Sequence, residues 1–286
     1  MSRALPRRST AGRRTALAAA GALLARAGLA AAGRLAAQEA GAPWQRTNYA
    51  RRPVSLLGGP VLAAAATATA VTGAPAGQRA AAAVVGTVVG VVGGYDDLAG
   101  ARPEQAGDKG LAGHLAALRE GRVSAGAVKV AGIGTAGVVA AVLTRRGSGL
   151  PAVVDGVLTT GLVAGTANLL NLLDLRPGRA GKVAVLLAAS TVGGPAGGLV
   201  AGPLGATLGV LPDDLGERVM LGDCGANAVG ALLGLRLAAL PGRGSRAGLL
   251  GVVTALTLAS EKVSFTRVIE STGGLRQLDR LGRRPA

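Results

Sequence analysis

The sequence predicts an all-α, polytopic membrane bundle of about eight or nine helices, with its chemistry-bearing groups on one membrane face. Three observations predict it. The apolar residues, 49% of the 286, are gathered in long uncharged blocks, many of them close to the roughly 17–25 residues that cross a bilayer. The few carboxylates, 15 in all, stand mostly at the ends of those blocks. The basic residues collect in alternate loops.

Taken in chain order, the blocks are Val54–Ala74, Ala80–Gly94, Ala127–Thr144, Ala152–Leu173, Val183–Leu211, Ala226–Leu240 and Ala247–Ser260. Val183–Leu211 is too long for one crossing. Gly193-Gly194-Pro195 breaks it into two short helices, so eight crossings follow residue 53. An earlier apolar segment, Thr15–Ala37, carries Arg26 and Arg34. An arginine at the bilayer centre costs about 2.5–3.5 kcal/mol on insertion scales. Three readings stay open for it: a ninth crossing, a helix lying on the inner surface, or an export signal. Arg13-Arg14 ahead of the alanine-rich run supports the last, being faintly twin-arginine-like. The chain therefore divides into a basic tail with this first segment (1–37), a membrane domain (38–260) and a basic C-terminal tail (261–286).

Composition restricts partners. A net charge of +16 suggests nucleic acid, but the arginines sit singly between apolar blocks. Aromatic residues for base stacking are nearly absent, at 1%, so nucleic acid is not an expected partner. Loops flanking membrane spans account for the charge. The segments Arg46–Arg52, Tyr95–Gly126, Asp174–Lys182, Asp213–Gly222 and Glu261–Ala286 hold 17 Lys and Arg, against five in the alternate loops after residue 53. The positive-inside rule makes their shared side cytoplasmic. Small residues four apart recur, as at Gly86/Gly90/Gly94, Gly161/Gly165, Gly198/Gly202, Gly205/Gly209 and Gly230/Gly234. That spacing lets helices approach closely, although 48 glycines would also produce it by chance. A single cysteine, Cys224, excludes an internal disulfide and a cysteine metal cluster.

Four stretches carry the candidate chemistry. Asp96 and Asp97 close the second block, where adjacent carboxylates serve as a metal site, a general base or both, or simply end the span in solvent. Acids at a helix C-terminus oppose the macrodipole, by about 0.3–1 kcal/mol each, which favours a functional reading. Lys109 stands beside a glycine and can meet a phosphate as a point charge. His114, the one histidine, is either catalytic or merely polar. Asn168, Asn171 and Asp174 lie three apart and share a helix face, facing a substrate or another helix. Asp223, in Gly222-Asp223-Cys224-Gly225, precedes the next block and by itself reads as an N-cap.

In this order the stretches resemble the polyprenyl-phosphate N-acetylaminosugar-1-phosphate transferases, the superfamily of phospho-N-acetylmuramoyl-pentapeptide transferase and the WecA-type enzymes. The matching residues are Asp96-Asp97, Lys109, Asn168, Asn171, Asp174 and Gly222-Asp223-x-Gly225, with a weaker match at Asn48-Tyr49 and Gly58-Gly59. The resemblance covers about residues 46 to 240. It implies a multi-pass enzyme of the plasma membrane whose active site faces the cytoplasm. Such an enzyme transfers a sugar-1-phosphate from a UDP-aminosugar to polyprenyl phosphate, releases UMP and needs Mg²⁺. Carried across, Asp223 is the magnesium ligand, with Asp96 beside it. Asp96 and Asp97 orient or deprotonate the lipid phosphate, Lys109 holds phosphate charge, and Asn168, Asn171, Asp174 and His114 line the substrate. A homo-oligomer stays open.

Two departures stand out. Where the family has a second acidic position after Asp174, this chain has Pro177. Where the family has a histidine-rich C-terminal loop, this chain has Ser260–Glu270 with no histidine, and only Lys262 or Arg267 to supply a cation. A degenerate, non-catalytic scaffold is therefore the alternative expectation. A transporter is the other, less suited because its ionisable groups would lie near the membrane midplane.

Overall fold

A computed structural model describes residues 10–99, 119, 121 and 124–284. The fold is mostly helical, as the blocks predict. Its helices are α1 (Thr10–Ala36), α2 (Gly58–Gly73), α3 (Arg79–Ala99), α4 (Ala125–Leu143), α5 (Gly149–Leu173), α6 (Arg179–Thr191), α7 (Gly198–Leu215), α8 (Gly222–Ala238), α9 (Arg243–Ser260), α10 (Phe265–Ser271) and α11 (Gly273–Arg280). The long apolar block is divided into α6 and α7 at Gly193-Gly194-Pro195. One element departs from an all-helical reading: Gln45–Thr47 (β1) pairs antiparallel with Pro53–Ser55 (β2). The helix expected from Val54 consequently begins only at Gly58.

Among the described residues four helical segments are long and apolar enough to cross a membrane: Thr10–Ala36, Ala76–Ala99, Ala125–Leu143 and Gly149–Leu173. Arg243–Ser260 with Phe265–Ser271, bent by 96° at their break, makes a fifth if the pair is one span. The other long helices are shorter or less apolar. The outer helices nevertheless turn apolar side chains outward, among them Val91, Val138, Val142, Val157 and Leu258, the kind of surface that lipid covers.

α8 is the central helix. From Cys224 to Leu237 every residue is buried, and α8 packs against α2, α3, α5 and α6. A helix apolar on every side belongs inside a bundle. Its neighbours come close because glycines face them. A Cβ on Gly93 of α3 would lie 2.3 Å from the Asp223 carbonyl oxygen, and one on Gly234 would lie 2.3 Å from that of Leu162 in α5. The α1–α7 contact is tighter still: a Cβ on Gly205 would lie 1.8 Å from the Ala18 carbonyl oxygen, and one on Gly21 2.1 Å from that of Gly202. Composition left the glycine pairs open to chance; here they are helix–helix contacts, with Gly198, Gly205, Gly230 and Gly234 against backbone and Gly86, Gly161 and Gly165 against the side chains of Thr67, Leu250 and Val253. The first segment lies along α7 and α2, with Arg14 donating to the Gly194 carbonyl at one end and Arg26 paired with Asp213 at the other.

The contacts sort the helix ends into two groups. At one end lie the C-termini of α3, α5 and α7 with the N-termini of α2, α4, α6 and α8. At the other, Arg236 near the end of α8 donates to the Thr191 carbonyl at the end of α6 (2.8 Å), and Arg243 and Arg246 at the start of α9 bond Asp155 near the start of α5. The tail folds back onto the first end. Arg179 holds Asp279 of α11 through two hydrogen bonds (2.8 and 3.3 Å), and Arg283 donates to Asp279 and to the Pro177 carbonyl (2.8 Å each). Burial works to raise the Asp279 carboxyl, but these arginines hold it below its ordinary value.

Gly205→Ala should lower thermal stability in detergent by about 1–3 kcal/mol, the usual penalty of overpacking. Gly134→Ala, whose Cβ would meet nothing within 4 Å, should leave stability unchanged or raised. Equal melting behaviour of the two variants would remove close glycine contact as the packing determinant.

Candidate functional site

The site forms where α3, α4 and α5 meet the first turn of α8. The first N–H groups of a helix have no partner within the helix, and here other helices supply them. The Gly222 N–H donates to Asp174 (2.8 Å), which ends α5. The N–H groups of Asp223 and Cys224 donate to the two carboxylate oxygens of Asp97 (2.9 Å each). Gly222 suits this position twice over. Its φ is +58°, and a Cβ there would lie 2.8 Å from Asp97.

This arrangement overturns the simplest reading of Asp223. It is not the N-cap: Leu221 occupies that position without a side-chain bond, and Asp97 and Asp174 do the capping. The Asp223 carboxylate is left to accept from Lys129 Nζ (2.9 Å), which also pairs with Asp96 (2.5 Å). The three side chains are 13–21% exposed, so water screens them little. Ser124 places the lysine by accepting from the Ala127 N–H (3.3 Å), which starts α4 at Ala125 and sets Lys129 in its early turns. α3 also continues past Gly94 to Ala99, so Asp96 and Asp97 sit within its last turn. The unfavourable dipole at that C-terminus is offset because Asp97 faces the positive end of α8.

Asp96, Asp97, Asp174 and Asp223 thus come together. Asn171 is half-buried and Asn168 exposed, and among the described residues neither amide makes a side-chain hydrogen bond. Lys109 and His114 lie outside the described residues. Lys262 and Arg267, the cations considered for the C-terminal loop, are exposed; Arg176, Arg179, Lys182 and Arg283 are the cations near the Pro177 position.

Next to the carboxylates lies a recess of about 280 Å³ lined by Asn48, Tyr49, Asp174, Arg176, Pro177, Asp214 and Glu217, among others. Asn48 ties the β1–β2 turn across it by donating to Glu217 (2.6 Å), and Arg176 stacks over the Tyr49 ring at 4.0 Å. Asp214 is 1% exposed, and one of its carboxylate oxygens has no hydrogen-bond partner among the described residues. Burial, with Asp214 close by, pushes the Asp174 carboxyl well above its ordinary range; the Gly222 N–H offsets this only in part.

Two site residues escaped the sequence reading. Lys129 is the one charge in its apolar block, and an ionisable group in such a block is a site candidate by default. Asp213-Asp214 repeats the signature of Asp96-Asp97, a carboxylate pair closing an apolar run.

Among the described residues no three His, Cys, Asp or Glu side chains form a metal cluster. Mg²⁺ does not require three: it takes one or two carboxylates and fills its shell with water and phosphate oxygens. Asp96 and Asp223 already converge on one cation, the Lys129 ammonium, so the pair fits such an ion once Lys129 withdraws. Asp97 and Asp174 accept from backbone N–H groups instead of from Lys129.

Neither protein-family models nor curated proteins match this chain.

Lys129→Met should melt lower than wild type in metal-free buffer, because Asp96 and Asp223 lose their shared cation. Added Mg²⁺ should raise its midpoint more than that of wild type. An equal response in both proteins would separate the carboxylate pair from metal binding. The raised Asp174 carboxyl sets a pH dependence: the native state holds this proton at pH values where the unfolded chain has lost it. Stability contributed there is full below the ordinary aspartate value and falls as pH rises through the elevated native value. Asp174→Asn, whose amide oxygen still accepts from Gly222, should flatten that part of a melting-point profile against pH.

Proposed function

We propose that the chain is a multi-pass membrane transferase that moves a phospho-N-acetylaminosugar from a UDP-sugar to polyprenyl phosphate and releases UMP. The observation that carries this reading is the meeting of Asp96, Asp97, Asp174 and Asp223 at the first turn of α8, with Lys129 held between Asp96 and Asp223. They come from four separate sequence stretches, three of which are motifs of the family that the sequence resembles. On this reading the helices, which alternate in direction, make nine crossings, α1 included, four or five of them by segments long and apolar enough on their own. The carboxylate end carries the lysine- and arginine-rich loops after residue 53, which supports a cytoplasmic site in the plasma membrane.

The reaction joins two anions. An oxygen of the lipid phosphate attacks the β-phosphorus of the UDP-sugar, a new P–O bond forms, and the bond to the bridging oxygen breaks as UMP leaves. One diphosphate replaces another, so no external energy source enters. Charge must be neutralised as the phosphates approach. Mg²⁺ held by Asp96 and Asp223 would supply that neutralisation at the diphosphate oxygens. Lys129, displaced from the pair, remains beside it as a phosphate partner, and Lys109 adds a second cation. A phosphate monoester has its second pKa near 6, and Asp96 is assigned as the acceptor of a residual proton on the nucleophile. Asp97 and Asp174 hold α8, and through it Asp223, in place. Asn168, Asn171 and His114 are assigned to the nucleotide-sugar.

One observation favours the scaffold alternative: Lys129 already neutralises Asp96 and Asp223, so the pair is satisfied without a metal. The deciding experiment is UMP release by purified protein given polyprenyl phosphate, a panel of UDP-aminosugars and Mg²⁺. Asp223→Asn should lower the rate by about 10²–10³, the scale of losing one preorganised electrostatic group. Lipid-dependent release that the variant loses supports the transferase. No release by folded protein, beside an active enzyme of the type, transfers the assignment to the scaffold.

A further inference from the structure

The end of the bundle opposite the carboxylates holds a second, larger feature that the transferase reading does not use. A broad cavity, open to the outside, lies between the ends of α4, α6 and α8 and the start of α5. Arg145, Arg146, Arg236 and Arg246 form part of its wall, and Asp155 is the one carboxylate there. Asp155 is already taken by Arg243 (2.8 and 2.9 Å) and Arg246 (2.7 Å).

The other three arginines have no carboxylate partner among the described residues. Arg236 is the telling one, at 4% exposure. Its guanidinium donates only to the neutral carbonyls of Thr191 and Gly193 (2.8 Å each). Arg145 donates to the Gly147 carbonyl (3.1 Å). A buried charge with no counter-charge is costly, and three cations around one cavity add mutual repulsion.

We propose that this cavity is a binding site for a phosphate group, contacted by Arg145, Arg146 and Arg236. The guanidinium fork matches phosphate geometry and keeps its charge at every working pH. Three positive charges with no carboxylate partner suit a phosphate, whether a diester of charge −1 or a monoester of about −1.5 to −2. The phosphate belongs either to a lipid headgroup or to a soluble phosphate or diphosphate.

The test uses the full chain in nanodiscs of zwitterionic lipid, in metal-free buffer, with the thermal midpoint as readout. One arm titrates inorganic phosphate and diphosphate; the other incorporates phosphatidylglycerol with no free phosphate. A saturable rise in midpoint is expected in at least one arm. In Arg145→Gln/Arg146→Gln, a loop variant remote from the packed core, the rise should need at least tenfold more ligand. Arg236→Gln should do the same where it folds, and Asp223→Asn should respond like wild type. A response to the lipid alone names a headgroup, and a response to free phosphate alone names a soluble anion. No response in either arm, an unchanged response in the double variant, a lost response in Asp223→Asn, or an equal response to acetate would each overturn the proposal.

Discussion

The first turn of α8 ties the bundle together: the N–H groups of Gly222, Asp223 and Cys224 are satisfied by carboxylates from α5 and α3. A cap of this kind is worth about 0.5–2 kcal/mol when the capping group is local. Here the capping groups arrive from helices far apart in sequence, so the same bonds also fix where α3 and α5 end against α8. The packing below depends on that registration. Gly93 can lie against the Asp223 backbone, and Gly230 and Gly234 against α5, only when the helix ends are level.

The same bonds divide the four acids into two kinds. Asp97 and Asp174 face backbone donors, which hold them in one geometry. Asp96 and Asp223 face a cation on a flexible side chain, which can move. A lysine has the reach and the single point charge for that duty, where a guanidinium fork would hold the pair more rigidly. The site therefore has two acids held by backbone donors and two held by one lysine.

Helices and their order were legible because apolar block length and breaks at Gly and Pro are local properties of the chain. Gly193-Gly194-Pro195 divided one long block in the sequence and divides α6 from α7 in the structure. Asp96, Asp97, Asp174 and Asp223 were legible as well, since carboxylates are rare in apolar surroundings and stood at block ends. Lys129 was missed because a lone lysine near the start of a block reads as a flanking charge. Asp214 was missed because its neighbour Asp213 and the following arginine made the stretch look like a solvated loop.

By itself, then, the sequence determined a bundle of apolar helices and the identity of most of its acids, because burial and helix length act within each segment. Tertiary structure alone decided what each acid does. Asp97 became a cap and Asp223 a partner of Lys129, reversing the local expectation that Asp223 would cap its own helix. The tertiary fold likewise turned glycine pairs into contacts and left Arg236 buried without an anion. These outcomes depend on distances between segments that local pattern does not encode.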